Sequence, residues 1–542
     1  MAEALDGKKQ PVKYGLSSMI FNTLIRGMRG TIENTTHGVL SVLNVGCKRQ
    51  VPPVSNDLLL LPASELAAKI RKAEVSSENV VKAYIVRIGK INGLLNAVVE
   101  GRYSEALKEA RLADELVKSG RFTQEQLAEQ LPLLGVPFTA KEALLIKGLS
   151  STCGLVCRKG LKADQDCDPV LRLRACGAIP LALTNTSEIC MWWETYNKLH
   201  GRTNNPYDTT RTVGGSSGGE AALIAAAGSV IGLGTDLGGS IRLPAFFTGI
   251  FGHKPSQGIV PINGQFPPAL EEIAPYVVVG PMVRYATDLR LVLSALAGKE
   301  ATRRLRLDSP VELRSLKIYY MLDDGGSPAP TPVSSEIREA MKKVINALSM
   351  EGLVIKEVKL KYLKMGFLVW CAYLSEVKDQ RISNLMNGNV KSPDECDSLH
   401  YEMWKWLSGK SQHTFPIILN ACAQDYLAPI MQKPLDFFIQ CGEKMRVELD
   451  NLLSPEPAVF LYPTFPHVAS HHGQILANPF NTGYSVAFNA MGLPTTQCPL
   501  GLDSKGLPLG MQIVTAAEND RFSLAVAEFL ERKLGGWVQA PS

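Results

Sequence analysis

Residues 213–244 read VGGSSGGEAALIAAAGSVIGLGTDLGGSIRLP, two Gly-Gly-Ser clusters flanking a run of small residues. Glycine belongs where backbone must approach something closely, and a glycine-rich turn opening onto a helix aims successive N–H groups at one spot. The small-residue run has a helical pattern, and SVIGLGT (229–235) after it is a short apolar run of the kind that fills a buried strand. Similar runs recur outward along the chain as AIPLALT (178–184), LKIYYM (316–321) and AVFLYP (458–463), separated by helical stretches. TTQCPLGLDSKGLPLGMQIV (495–514) reads as a hairpin. Near the start, Ser64 is expected to cap a helix ELAAKIRKAE, and Ser76 and Ser77 cap a second with the stripe Val80, Val81, Tyr84, Ile85 and Ile88. This alternation predicts an α/β fold, a mixed twisted β-sheet core between helical layers. DDGGSPAPTPVSS (323–335), between LKIYYM and a helix EIREAMKKVINAL, is expected to be a loop inside one large domain.

Composition narrows the function classes. With 542 residues, 45% of them hydrophobic and 20% charged, the chain has material for a large core. The net charge of +5 is spread along the sequence, so the footprint of a nucleic-acid-binding protein is missing. Eleven irregularly spaced cysteines fit reduced thiols better than a disulfide scaffold, which points to an intracellular location, cytoplasmic or peripheral to a membrane. The sequons at Asn34 and Asn185 are discounted, because no cleavable signal precedes them.

The N-terminal segment, residues 1–50, stands apart from the remainder, 51–542. Met19, Ile20, Leu24, Ile25 and Met28 give it apolar character, but Arg26 and Arg29 interrupt it well short of the ~18 apolar residues a membrane span requires. With Lys8, Lys9 and Lys13 ahead of it, the stretch reads either as a basic amphipathic helix on a membrane surface or as a helix packed on the protein itself.

The glycine clusters admit three chemistries. A phosphate loop fails, because Gly409-Lys410-Ser411 has Trp404 at the first glycine position and Gly252-His253-Lys254 has the wrong spacing. A dinucleotide fingerprint fails because Leu237 occupies the third glycine position after Gly232 and Gly234. Hydroxyls in both clusters favour acyl transfer. Gly214-Gly215-Ser216-Ser217-Gly218 also matches a nucleophile elbow, with His467 as a conceivable base, but the lead-in RTNNPYDTTRTV is rich in turn formers and unlike the strand an elbow needs. His471 and His472 suggest no metal site, since adjacent strand residues face opposite ways and no third ligand is suitably spaced.

GGSSGGEAALIAAAGSVIGLGTDLGGSIRLPAFFTGIFGHKP resembles the signature of the amidase signature family, and LLGVPFTAKEALLIKG resembles the segment that holds its catalytic lysine. The resemblance runs from about Leu58 to Val538, and CMWWETYNKLHGRTNNPYD with GLPLGMQIV is similar to the branch that hydrolyses fatty-acid amides. It implies Lys141 as base, Ser216 as proton bridge and Ser240 as nucleophile, with the lysine 75 residues before the first serine and 24 separating the two serines. It further implies an amidase signature fold with helices on both sheet faces, a cis peptide before Ser216, and an oxyanion hole of the Leu237, Gly238, Gly239 and Ser240 amides. Ser217, Thr235, Asp236 and Arg242 would hold the loop, and Met191, Trp192 and Trp193 would edge the acyl channel. Trp404, Trp406, Leu407, Phe415, Ile417 and Ile418 would cap that channel at a membrane face, or else pack on the surface. Lysine acts as a base only when neutral, which burial favours, so Lys141 must be desolvated and Glu142 must point elsewhere.

The expected reaction is hydrolysis of N-acylethanolamines and primary fatty amides through an acyl-enzyme, with no cofactor and with a homodimer left open. Two rivals stand beside it: an amidase or esterase for smaller or aromatic acyl groups, and a catalytically silent lipid-binding protein.

Overall fold

The computed structural model describes residues 16–389 and 398–541. Its strands are β1 (Val98–Gly101), β2 (Pro137–Lys141), β3 (Ile179–Thr184), β4 (Tyr196–Asn197), β5 (Gly201–Arg202), β6 (Ile231–Asp236) and β7 (Phe251–Lys254) in the first half. β8 (Val278–Val283), β9 (Lys317–Tyr320), β10 (Val354–Glu357), β11 (Ala458–Tyr462), β12 (Thr495–Leu502) and β13 (Pro508–Val514) complete the set. Eleven of these form one mixed sheet in the order β1-β3-β2-β6-β8-β7-β12-β13-β11-β9-β10, while β4 and β5 pair alone.

The central strands are buried from end to end, which is why SVIGLGT and AIPLALT read as continuous apolar runs. Helices cover both faces, as residue alternation shows. Gln497 and Gln512 are cross-strand partners, and Gln512 accepts from Arg242 in the helix Arg242–Phe247. Thr496, one residue along and so on the opposite face, bonds Ser523 in the helix Asp520–Leu534. The chain has the α/β architecture expected from its sequence, a mixed sheet between helical layers, and the 495–514 hairpin is the pair β12 and β13.

β2 is the pivot for function. β3 and β6 both pair with it in parallel, Lys141 standing opposite Thr184 and Ala140 opposite Leu233. Three adjacent parallel strands therefore end at one edge and deliver Lys141, Thr184 and Thr235 together, at the carboxyl ends where α/β sheets hold their ligands.

Several local expectations need correction. The first of the two helices near the start runs Ala63–Arg71, beginning before Ser64, which is therefore not its cap. Asp288, more than two hundred residues away, takes the amides of Ala63 (2.7 Å) and Ser64 (3.0 Å) in that role. In the next helix, Ser77–Leu95, Ser76 caps Asn79, while Ser77 is already helical and gives its amide to Asp114. Strands β1, β2, β4, β5, β7, β8 and β10 fall outside the runs read as strands; β8, with six residues, is interrupted by Gly280 and Pro281, and the others are shorter. Asn185 is fully buried with its amide group bonded to Gly201 and Thr203, so that sequon is closed to a glycan.

Helix Leu16–Leu43 lies on the body of the molecule through Glu33, His37 and Ser41, which meet Asn481 and His471. Its Met28, Ile32, Val39, Val42 and Leu43 face outward and are exposed. Lys8, Lys9 and Lys13 lie outside the described residues, and the side chains of Met19, Ile20, Leu24, Ile25, Arg26 and Arg29 are likewise not described.

Replacing Asp288 by Ala strands two backbone donors at a buried helix start, which costs about 1–3 kcal/mol. Chemical denaturation should show the midpoint falling accordingly, with the folded spectrum unchanged.

Candidate active site

Lys141 is the last residue of β2, fully buried, and on the same sheet face as Thr139, which meets the helix Gly218–Ala225. Its Nζ donates to Ser216 Oγ at 2.6 Å and to Thr235 Oγ1 at 2.7 Å. Both partners are hydroxyls, and no carboxylate forms an ion pair with this amine among the described residues.

Two acids stand close by and both are engaged elsewhere. Glu142 accepts from Thr152, at 2.5 Å from its hydroxyl and 3.1 Å from its amide, and faces His200 at 3.5 Å. Glu220 accepts from Thr139 (2.6 Å) and Thr184 (2.8 Å). Burial outweighs those hydrogen bonds and the Lys141 charge, and pushes the Glu220 carboxyl up to about 8, so at neutral pH it is mostly a neutral acid.

Ser216 follows the cis Gly215–Ser216 peptide. A Cβ on Gly215 would sit 2.6 Å from the Trp192 carbonyl oxygen, so only glycine fits there. The Ser216 carbonyl accepts from Thr186 Oγ1 at 3.0 Å, and the Ser217 amide donates to the Ser240 carbonyl at 3.2 Å, stitching the two glycine clusters together. Ser217 also accepts from the Thr235 amide at 3.3 Å. Ser216 and Ser240 line a single cavity of about 60 Å³ with Cys190, Met191, Leu237 and Phe266. A larger surface hollow of about 780 Å³ along the helix Ser77–Leu95 brings no nucleophile up to a base.

The loop 237–240 is held from two sides. Below it, Asp236 and Arg242 form a fully buried ion pair at 3.1 Å. The Asp236 carboxylate also takes the amides of Gly239 (2.7 Å) and Ile241 (3.1 Å) and the Asn489 side chain (2.8 Å). Burial alone would raise this carboxyl, but the Arg242 charge with hydrogen bonds from Arg242 and Asn489 holds it well below the usual carboxylate range. Behind the loop, Trp193 Nε1 donates to the Gly238 carbonyl at 2.8 Å and Trp370 Nε1 to the Leu237 carbonyl at 3.1 Å, their rings 5.8 Å apart.

A peptide unit is planar and places its N–H opposite its carbonyl. Pinning the Leu237 carbonyl therefore aims the Gly238 amide the other way, and pinning the Gly238 carbonyl sends the Gly239 amide to Asp236. Gly239, at φ +92°, supplies the left-handed turn this requires.

The expected residues divide accordingly. Lys141, Ser216, Thr235 and Ser217 are joined by hydrogen bonds, Asp236 and Arg242 form a second bonded pair under the adjacent loop, and Ser240 lies in the cavity wall with Ser216. The Gly239 amide is already given to a side chain, unlike the hole anticipated for it. Met191 lines the cavity, whereas Trp193 is buried behind the loop instead of along a channel, with Trp192 packed against it. His467, the alternative base, contacts Val468 and Asn481 near Glu33. No strand leads into Ser216, as an elbow would need. Among the described residues no cluster of His, Cys, Asp or Glu is arranged to hold a metal. Trp370, Cys153, Cys190 and Glu220 are site residues that sequence reading missed; Cys190, beside Met191-Trp192-Trp193, and Glu220, inside the 213–244 stretch, carried a local hint.

A family model described as Amidase matches residues 79–524. The chain is 44% identical over 494 residues to fatty-acid amide hydrolase 2-A of Danio rerio, covering 90% of this chain and 91% of that one. It is 44% identical over 492 residues to fatty-acid amide hydrolase 2 of Homo sapiens, again covering 90% and 91%. A solved structure of a fatty acid amide hydrolase superposes with a TM-score of 0.71 at 23% identity, covering 90% of this chain and 87% of that one, a likeness of fold.

Replacing Arg242 by Met leaves Asp236 buried without its cation, a loss of about 3–5 kcal/mol. Because the folded carboxyl is depressed, the stabilisation is complete above the ordinary carboxylate range and is lost as pH falls toward the folded value. Urea denaturation across that range should therefore show the gap between variant and parent narrowing in acid.

Proposed function

Because the chain belongs to the amidase signature family and is an amide-bond hydrolase, we propose that it cleaves fatty-acid amides through an acyl-enzyme on Ser240. The observation that carries the proposal is the pair of short hydrogen bonds from Lys141 Nζ to Ser216 Oγ and Thr235 Oγ1. A buried amine that meets hydroxyls rather than a carboxylate can accept a proton from one of them. Lys141 takes the Ser216 proton, Ser216 takes that of Ser240, and the Ser240 oxygen attacks the amide carbonyl. The amides of Leu237, Gly238 and Ser240 are offered to the oxyanion, each donor of this kind being worth ~3 kcal/mol. The proton then returns through Ser216 to the leaving nitrogen, and water repeats the sequence on the acyl-enzyme.

The fatty-acyl preference draws support from the relatives' names and from the apolar surroundings. Ile417 and Ile418 pack with Ile189, Phe266 and Ala143, the last three also lining the catalytic cavity. On the outer side of that layer Trp404, Leu407, Leu427 and Ile430 are exposed, and Lys410 lies over the Trp404 ring. An apolar patch edged by a cation suits a lipid surface, and the outward residues of the N-terminal helix offer a second contact. No described helix is long and apolar enough to cross a membrane, so the contact proposed is peripheral.

One observation favours the rival with a smaller acyl group. A cavity of about 60 Å³ is far below the ~300 Å³ of ordinary ligand pockets, so a long chain needs side chains between cavity and cap to move aside.

Hydrolysis of an acyl-amide series of rising chain length, with and without lipid vesicles, decides between the two. The expected result is kcat/KM rising with chain length and rising again on vesicles; a maximum at short or aromatic acyl groups supports the rival. Ser240→Ala should abolish both turnover and fluorophosphonate labelling, and Lys141→Ala should lower turnover about 10²–10⁴-fold. A variant His467→Ala at full rate excludes the elbow; an inactive one beside a fully active Lys141→Ala overturns the triad. Trp370→Phe keeps an aromatic ring but removes the Nε1 donor to the Leu237 carbonyl, so kcat should fall about 3–10-fold with KM unchanged, the signature of an interaction made in the transition state.

A further inference from the structure

Cys190 ends the short turn Glu188–Cys190 and shares the cavity wall with Ser216 and Ser240. Its Sγ lies 3.4 Å from Cys153 Sγ and 3.5 Å from Thr186 Oγ1. The two backbones adjoin, the Ile189 amide donating to the Cys153 carbonyl at 2.9 Å. Both cysteines sit at positive φ, +47° for Cys153 and +61° for Cys190, a conformation uncommon outside glycine. A disulfide needs sulfurs about 2.0 Å apart on neighbouring backbones, so the gap to close is little more than about 1 Å.

The two thiols are unlike. Burial would push Cys190 up, but the hydrogen bond from Cys153, the Lys141 charge, and hydrogen bonds from Thr186 and Lys141 outweigh it and bring this thiol below its ordinary value. Burial and its bond to Cys190 push the Cys153 thiol well above. The charged groups facing the pair are Lys141, Glu142 and Arg158. A reactive thiolate open to a cavity, backed by a shielded thiol within reach, is the arrangement of an attacking and a resolving cysteine. The other buried cysteines among the described residues, Cys167, Cys441 and Cys498, stand outside this arrangement, each raised chiefly by burial.

We propose that Cys190 is a modification site for hydroperoxides that enter the substrate cavity, and that Cys153 captures the oxidised sulfur as a disulfide. The Cys190 thiolate attacks the terminal peroxide oxygen; the O–O bond breaks, the alkoxide leaves and takes a proton, and Cys190 becomes a sulfenic acid. Cys153 sulfur then attacks Cys190 sulfur, the S–O bond breaks, and hydroxide departs with the Cys153 proton as water. In sum two thiols and one hydroperoxide give a disulfide, an alcohol and water. Closure draws Cys190 off Lys141 and moves Met191, its neighbour in the cavity wall. The thiolate draws on the charged form of Lys141 and hydrolysis on the neutral form, so the effect of closure on rate rests on the reading of Lys141 as the base.

The test uses the reduced full chain treated with one equivalent of tert-butyl hydroperoxide, followed by non-reducing peptide mapping. The expected result is a Cys153–Cys190 cross-link lacking two hydrogens, and a Cys153→Ala variant whose Cys190 is instead trapped by dimedone, with Cys153→Ser in its place if the alanine form is unstable. Oxidation at other cysteines with Cys190 untouched overturns the proposal. Hydrolysis should fall about tenfold or more on cross-linking, since a 1 Å misplacement in a site costs up to ~10²-fold, and should return with dithiothreitol. A cross-linked enzyme at full rate overturns the coupling to Lys141, while leaving the hydrolytic reading to the Lys141→Ala measurement.

Discussion

Everything in the site depends on Lys141 Nζ meeting two hydroxyls and no carboxylate where the sheet buries it. Three parallel strands ending at one edge make that meeting unavoidable: β2 brings the amine, β6 brings Thr235, and β3 leads into the segment that steadies Ser216 through Thr186. A carboxylate in reach would keep the proton on the amine. The two nearby acids are kept out of that role by different means. Thr152 holds the carboxylate of Glu142, and burial between Thr139 and Thr184 makes Glu220 a mostly neutral acid.

Around this core the fold fixes backbone rather than side chains. The Asp236–Arg242 pair spends its hydrogen bonds on the amides of Gly239 and Ile241 and on Asn489 and Gln512, so the loop that carries Ser240 is tied down along its backbone. The indoles of Trp193 and Trp370 complete the grip from behind. Preorganisation of this kind is where electrostatic catalysis gains most, because nothing has to reorient as charge develops. The nearby Cys153–Cys190 pair belongs to the same neighbourhood without being needed for it.

Much of the site was legible because it is local. Both glycine clusters, Ser216, Ser240, Thr235, Asp236 and Arg242 lie within one stretch of 32 residues, 213–244, and Lys141 sits in a second short segment. The strands at 179–184, 231–236 and 458–462 announced themselves as apolar runs, and the 495–514 hairpin by its turn residues. What could not be read is what joins distant chain: Asp288 capping the helix at Ala63, Trp370 reaching back to Leu237, Cys153 meeting Cys190. Trp193 shows the same limit from the other side, for a tryptophan beside Met191 looks like channel wall until Gly238 is found under its nitrogen. Sequence patterns report period and turn chemistry; they carry no signal for which carbonyl a remote side chain will find.

The most direct measurement is the rate of Ser240 acylation by a fluorophosphonate in the parent chain and in Lys141→Ala. Proton removal by the lysine through Ser216 requires that the variant be slower by about 10²-fold or more while remaining folded. Equal rates in the two would contradict the lysine's place in the reaction.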